Sequence, residues 1–152
     1  MTDDLIGRLE QQERDLIFTR FDYADAWRLG SLLVELATER GLPVAIDIRR
    51  GAQQLFHAAL AGSTADNDAW IERKVRVVER YGASSYLVGR RLAAKGQVLD
   101  ASQGVDPARF AAHGGAFPVR VVNAGVVAVV TVSGLPQAED HALVVEAVER
   151  FR

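Results

Sequence analysis

The chain has 152 residues, 49% of them apolar and 25% charged, with 13 glycines, 4 prolines and no cysteine, a composition of compact globular domains rather than of disordered or fibrous chains. The missing cysteine excludes disulfides, thiolate metal sites and cysteine nucleophiles. Basic and acidic side chains number 18 and 20, leaving a net charge of −2 with both signs interspersed, whereas a protein that holds nucleic acid through its phosphates shows a basic excess.

The first residues, Met-Thr-Asp-Asp-Leu, are acidic where a signal peptide is basic. The longest apolar run, Gly125 to Val130, is far short of the ~20 residues of a membrane-spanning helix. A soluble cytoplasmic protein with no nucleic-acid or membrane partner is expected.

In chain order, Thr2 is a cap for a short first helix with Asp3 and Asp4 in its first turn and Leu5, Ile6, Leu9 and Leu16 as its apolar stripe. A second helix runs from about Tyr23 to Arg40 and buries Ala26, Leu29, Leu33 and Leu36, with Gly41 and Pro43 as stop signals. Val44, Ile46 and Ile48 alternate with Ala45, Asp47 and Arg49, the period of a strand with one buried face. Arg50-Gly51-Ala52 turns the chain, and a return strand over 53–60 makes a hairpin with Asp47 and His57 at its centre.

Asp66, Asn67 and Asp68 are expected to cap and charge a third helix, about Asp68 to Arg80, and Ser84 a fourth reaching Ala94. After a Ser-, Gly- and Pro-containing stretch over 101–115, two extended runs, 116–122 and 125–133, form a second hairpin. The later run is apolar on both faces, which calls for a central strand covered on both sides, by helices and by another layer or subunit. A last helix starts around Pro136 with Glu139 and Asp140 in its positive first turn and Val144, Val145, Val148 and Phe151 turned inward. This order describes an α+β domain: an α/β/α arrangement in which helices flank a central antiparallel sheet.

No nucleophile elbow, zinc-protease pair, phosphate loop or dinucleotide fingerprint is present. What remains are polar residues at positions where the pattern calls for apolar ones. His141 lies at helical spacing from Val144, Val145 and Val148, so its ring is either a hydrogen-bonded core histidine or a cavity-facing metal, haem or acid/base group. Asp140 beside it complements the helix dipole or joins the same cavity.

His113 precedes Gly114-Gly115, whose backbone can approach a ligand closely; otherwise it is an exposed loop residue. His57 is a cross-strand partner or a third ligand. Lys74, four residues from both Trp70 and Val78, borders the apolar stripe of the third helix. Arg120, inside a strand, binds a ligand carboxylate or pairs with an acid of a neighbouring strand. The pairs Arg49-Arg50 and Arg90-Arg91 are read as surface.

His113-Gly114-Gly115-Ala116-Phe117-Pro118-Val119-Arg120-Val121, a valine-rich strand, and then Val132-Ser133-Gly134-Leu135-Pro136-Gln137-Ala138-Glu139-Asp140-His141 together resemble the haem-degrading domain superfamily that includes HbpS, GlcG and the C-terminal domain of PduO. Asp66-Asn67-Asp68-Ala69-Trp70-Ile71-Glu72-Arg73-Lys74 and Ser84-Ser85-Tyr86 are similar to a branch of small stand-alone proteins within it. The resemblance covers about Pro43 to the C-terminus. It implies a profilin-like domain over 42–152, with the helices of 1–41 packing on it as part of one structural unit, and a homo-oligomer. Relatives bind haem, iron or a corrinoid, so haem or iron is the implied cofactor, while no catalytic role carries over to a residue here.

The expectation is a small-molecule-binding protein in which His141, Asp140, His113, His57, Lys74 and Arg120 supply ligand contacts and His141 with His113 any metal bond. Two alternatives stay open: a structural or interaction protein without a cofactor, and an enzyme using His141 or His113 as general acid and base.

Overall fold

The computed structural model describes residues 2–152, with side chains from residue 4 onward. The Thr2 cap and the Asp3 charge expected for the first helix therefore lie outside the described side chains. The elements are α1 (Thr2–Asp15), β1 (Ile17–Phe18), α2 (Tyr23–Glu39), β2 (Ala45–Arg50), β3 (Gln53–Ala59), α3 (Ala65–Tyr81), α4 (Ser85–Ala94), β4 (Ala116–Val121), β5 (Gly125–Ser133) and α5 (Gln137–Phe151), with a 3-10 turn at Ala101–Gln103. The strands form one sheet in the order β1-β4-β5-β2-β3.

The sheet is mixed rather than antiparallel throughout, because β1 runs parallel to β4, pairing Ile17 with Arg120 and Phe18 with Val121. Two residues are too few to display a strand period, which is why β1 has no signature in the sequence. The first helix is longer than expected and ends before Leu16, whose side chain enters the main core instead of continuing the helical stripe.

Strand alternation divides the core. Ile46, Ile48, Phe117, Val119, Val130 and Val132 face Leu29 and Leu33 of α2 and Val144 and Val148 of α5. Ala45, Ala116 and Val129 face Ile71, Val75 and Val78 of α3. Thus β5 is covered on both faces within the chain, as its apolar run requires. The sheet face toward α3 carries small residues because a long helix crosses it closely. Beyond α3, α1 and α4 enclose a smaller core around Leu9, Val77, Tyr86 and Leu87.

The first hairpin forms as expected, and an irregularity between Ile48 and Arg49 shifts its register so that Asp47 stands opposite both His57 of β3 and Thr131 of β5. Both faces of β2 are buried, however, and Arg49 is no surface residue. Its guanidinium donates to both carboxylate oxygens of the fully buried Asp47, at 2.7 and 3.0 Å, and Gln54 donates to the same carboxylate at 2.6 Å. A carboxylate under a sheet-covering helix requires such partners.

The third helix begins earlier than expected, at Ala65, because Asn67 caps it from inside: its side-chain oxygen accepts the Thr64 N–H at 2.8 Å. Ser84 caps α4 as expected, accepting the Leu87 N–H at 3.1 Å. Glu13 of α1 accepts the Ser84 N–H at 3.0 Å with one carboxylate oxygen and a proton of Arg120 at 2.9 Å with the other. The first helix is thereby tied to α4 and β4 at once.

Candidate functional site

The site forms where β5 ends and α5 begins. Ser133 is the last strand residue, Gly134-Leu135-Pro136 makes the corner, and α5 starts at Gln137. Gly134 has φ +149°, and a Cβ there would run into the Pro43 carbonyl oxygen, so the corner is built for glycine. One turn into α5, Asp140 reaches back and accepts the Leu135 N–H at 2.9 Å and the Gly134 N–H at 3.3 Å.

Lys74 enters from α3, on the other face of the sheet, and passes the end of β5. Its ammonium donates to Asp140 Oδ2 and to the Val132 carbonyl, both at 3.2 Å. Lys74 and Asp140 are only 3% and 2% exposed. Burial pushes the lysine pKa down and the aspartate pKa up, against the attraction between them and the backbone N–H groups on the carboxylate. A second glycine makes room for this pair. Gly115 has φ +139°, and a Cβ on it would strike the Val132 carbonyl and lie 2.8 Å from Lys74 Nζ.

Above the pair lies a cavity of about 280 Å³ whose walls include Asn67, Trp70, Lys74, His113, Gln137 and Asp140. Gln137 holds the loop of His113 in place by accepting the Gly114 N–H at 3.0 Å. The His113 ring meets Trp70 edge to face, with centroids 5.3 Å apart. Burial, with Lys74, Arg73 and Arg90 nearby, holds its pKa below the usual histidine range, so the imidazole is neutral at pH 7 and keeps a lone pair for a ligand proton or a metal.

The structure thus brings together Lys74, His113 and Asp140, three of the six residues singled out in the sequence. The other three point elsewhere, and the three histidines do not share a hollow. His141 follows Asp140 on the helix and turns into the protein: its Nε2 is 2.8 Å from Gln12 Oε1, and its ring stacks near Tyr86 and Phe117 at centroid distances of 5.1 and 6.0 Å. His57 pairs with Asp68 Oδ1 at 2.7 Å on the outer strand. Arg120 binds Glu13 and the Gly82 carbonyl at the far end of β4. Among the described residues no three His, Asp or Glu side chains gather into a metal-holding group, and the two members of the expected metal pair lie apart, His113 on the cavity wall and His141 against Gln12.

Gln137 and Ser133 line the cavity without having been singled out. Their sequence signal is membership of the corner motif, at the last strand and first helix residues flanking Gly134-Leu135-Pro136. Arg90, read as surface, is half-buried against the Tyr86 ring, 5.9 Å from its centroid. No helix among the described residues is long and apolar enough to cross a membrane.

A family model described as haem degrading protein HbpS-like matches residues 21–149. A UPF0303 protein of Streptomyces coelicolor is 67% identical over 146 residues, covering 96% of this chain and 92% of its own. The crystal structure of the Ybr137w protein superposes with a TM-score of 0.89 at 33% identity, over 96% of this chain and 87% of that one. That of a PduOC–haem complex superposes with a TM-score of 0.69 at 14% identity, over 85% and 93%, and shares the fold.

Proposed function

This chain belongs to the HbpS-like haem degrading protein family, and from that premise we propose that it is a small-ligand-binding protein whose ligand sits in the corner cavity against His113. The observation that carries the reading is the state of that imidazole. His57 and His141 are each engaged by a side chain, whereas His113 packs on Trp70, makes no hydrogen bond among the described residues, and is held neutral beside a cavity. A neutral imidazole with a free nitrogen is the donor an iron centre takes. The residues fit haem or iron to that extent, and His113 would hold the metal, which when bound supplies a redox-active centre. At about 280 Å³ the cavity is at the small end of ligand pockets, so the part of a ligand it encloses is small.

The chain's own residues set the geometry. Asp140 fixes the corner through two backbone N–H groups, Lys74 holds Asp140, and Gln137 anchors the His113 loop. We further propose that the protein acts as a homo-oligomer, a reading supported by Trp27 and Tyr23, which stand 64% and 56% exposed on α2 next to the open sheet edge.

Titration of purified protein with haemin, followed at the Soret band, tests the ligand reading. Saturable binding is expected, weakened about tenfold or more by His113→Ala and unchanged by His57→Ala. No Soret change in the wild type, or equal binding by folded His113→Ala, overturns it.

A further inference from the structure

His113 is a wall of two cavities. Behind it, between α3, α4 and the segment 97–113, lies a second cavity of about 280 Å³. Its lining combines apolar residues, Leu92, Leu99 and Phe110 among them, with Arg73 and Arg90. Both arginines are half-buried, and neither forms an ion pair with a carboxylate among the described residues, unlike Arg49, Arg91 and Arg120.

Each arginine leans on an aromatic ring, Arg73 at 4.5 Å from the Trp70 centroid and Arg90 at 5.9 Å from that of Tyr86. Arg73 also donates to the Pro107 carbonyl at 2.9 Å. The Nε of both is buried without a hydrogen-bond partner. Buried donors are ordinarily satisfied, and a partly desolvated cation without an anion is unfavourable. Two such cations facing one cavity are a constellation that an oxyanion relieves, since the guanidinium fork matches a carboxylate or phosphate.

The apolar wall decides between these anions. A free phosphate would leave Leu92, Leu99 and Phe110 uncovered, whereas a carboxylate carried on an apolar body covers them. We propose that this second cavity binds an amphiphilic carboxylate, the anion on Arg73 and Arg90 and the apolar body against Leu92, Leu99 and Phe110. The site does not depend on the corner cavity having a ligand. The two cavities share His113 as a wall.

Octanoate, benzoate and inorganic phosphate, each titrated into haem-free protein by calorimetry, test this. Octanoate or benzoate is expected to bind saturably. Arg73→Gln and Arg90→Gln each weaken binding about tenfold or more, and Leu99→Ser weakens octanoate but leaves the melting temperature close to wild type. Absence of carboxylate binding at millimolar concentration overturns the proposal. So does undiminished binding by a folded Arg73→Gln/Arg90→Gln double variant, or phosphate binding as tightly as octanoate. Haemin binding and carboxylate binding are read separately, so either reading can fail alone.

Discussion

At the scale of single residues, the contrast between Asp140 and His141 shows how much one step along a helix decides. The two are neighbours in sequence, yet Asp140 closes the cavity floor and His141 is 3% exposed among Tyr86, Phe117 and Gln12. A helix turns its side chains by about 100° per residue, and here that step carries His141 off the cavity wall that Asp140 lines. Burial lowers the His141 pKa to about 4 from a reference of 6.5. The folded state thus resists a proton that the unfolded chain accepts. Stability contributed by the neutral ring is complete above pH 6.5 and is lost as pH falls toward 4, by on the order of 3 kcal/mol at the end of that window. Urea unfolding at a series of pH values should show this decline in the wild type and a flatter profile over the same window in His141→Leu. An unchanged profile in the variant would assign the acid sensitivity to other groups.

At the scale of elements, Lys74 and Asp140 join α3 to α5 from opposite faces of the sheet, around the end of β5. Each charge is buried and depends on the other. Lys74→Met or Asp140→Leu alone should each cost about 3–5 kcal/mol by stranding the partner, while the double substitution should recover much of that loss. A double-mutant cycle from denaturant melts measures it, and additive losses would show that the pair is not the link. The Lys74 position beside the apolar stripe of α3 was legible from spacing. Its partner was not, because an ion pair across 66 positions leaves no local pattern. The same holds for β1, which exists only because β4 offers it an edge, and for Arg90, whose helix position does not reveal that a loop folds over it.

At the scale of the whole molecule, the sheet is protected unevenly. On one side β1 is only two residues long, a short edge of the kind that resists pairing with other chains. On the other side β3, with the sequence Gln-Gln-Leu-Phe-His-Ala-Ala, contains neither lysine nor proline to blunt its edge. Trp27 lies beside this strand, its ring 5.3 Å from that of Phe56, and is 64% exposed. A second copy covering Trp27 and the β3 edge would bury both. Light scattering should give a mass above that of one chain for the wild type, reduced in Trp27→Glu with the circular dichroism spectrum retained. A wild-type mass equal to one chain would refute the assembly.

Sequence alone determined the helices, the two hairpins and the glycine corners. Those follow from interactions between residues two to four apart or across a tight turn, and such interactions write a period or a cap into the chain. It also marked Lys74, His113 and Asp140 as polar residues out of place. Only the tertiary structure decided that these three meet, that His141 and His57 turn away, and that Arg73 and Arg90 face a common cavity. Side-chain convergence depends on how α3 and α5 pack against opposite faces of the sheet and on where the loop before β4 runs. Those placements come from burial of apolar surface summed over the entire core, not from any single stretch of residues.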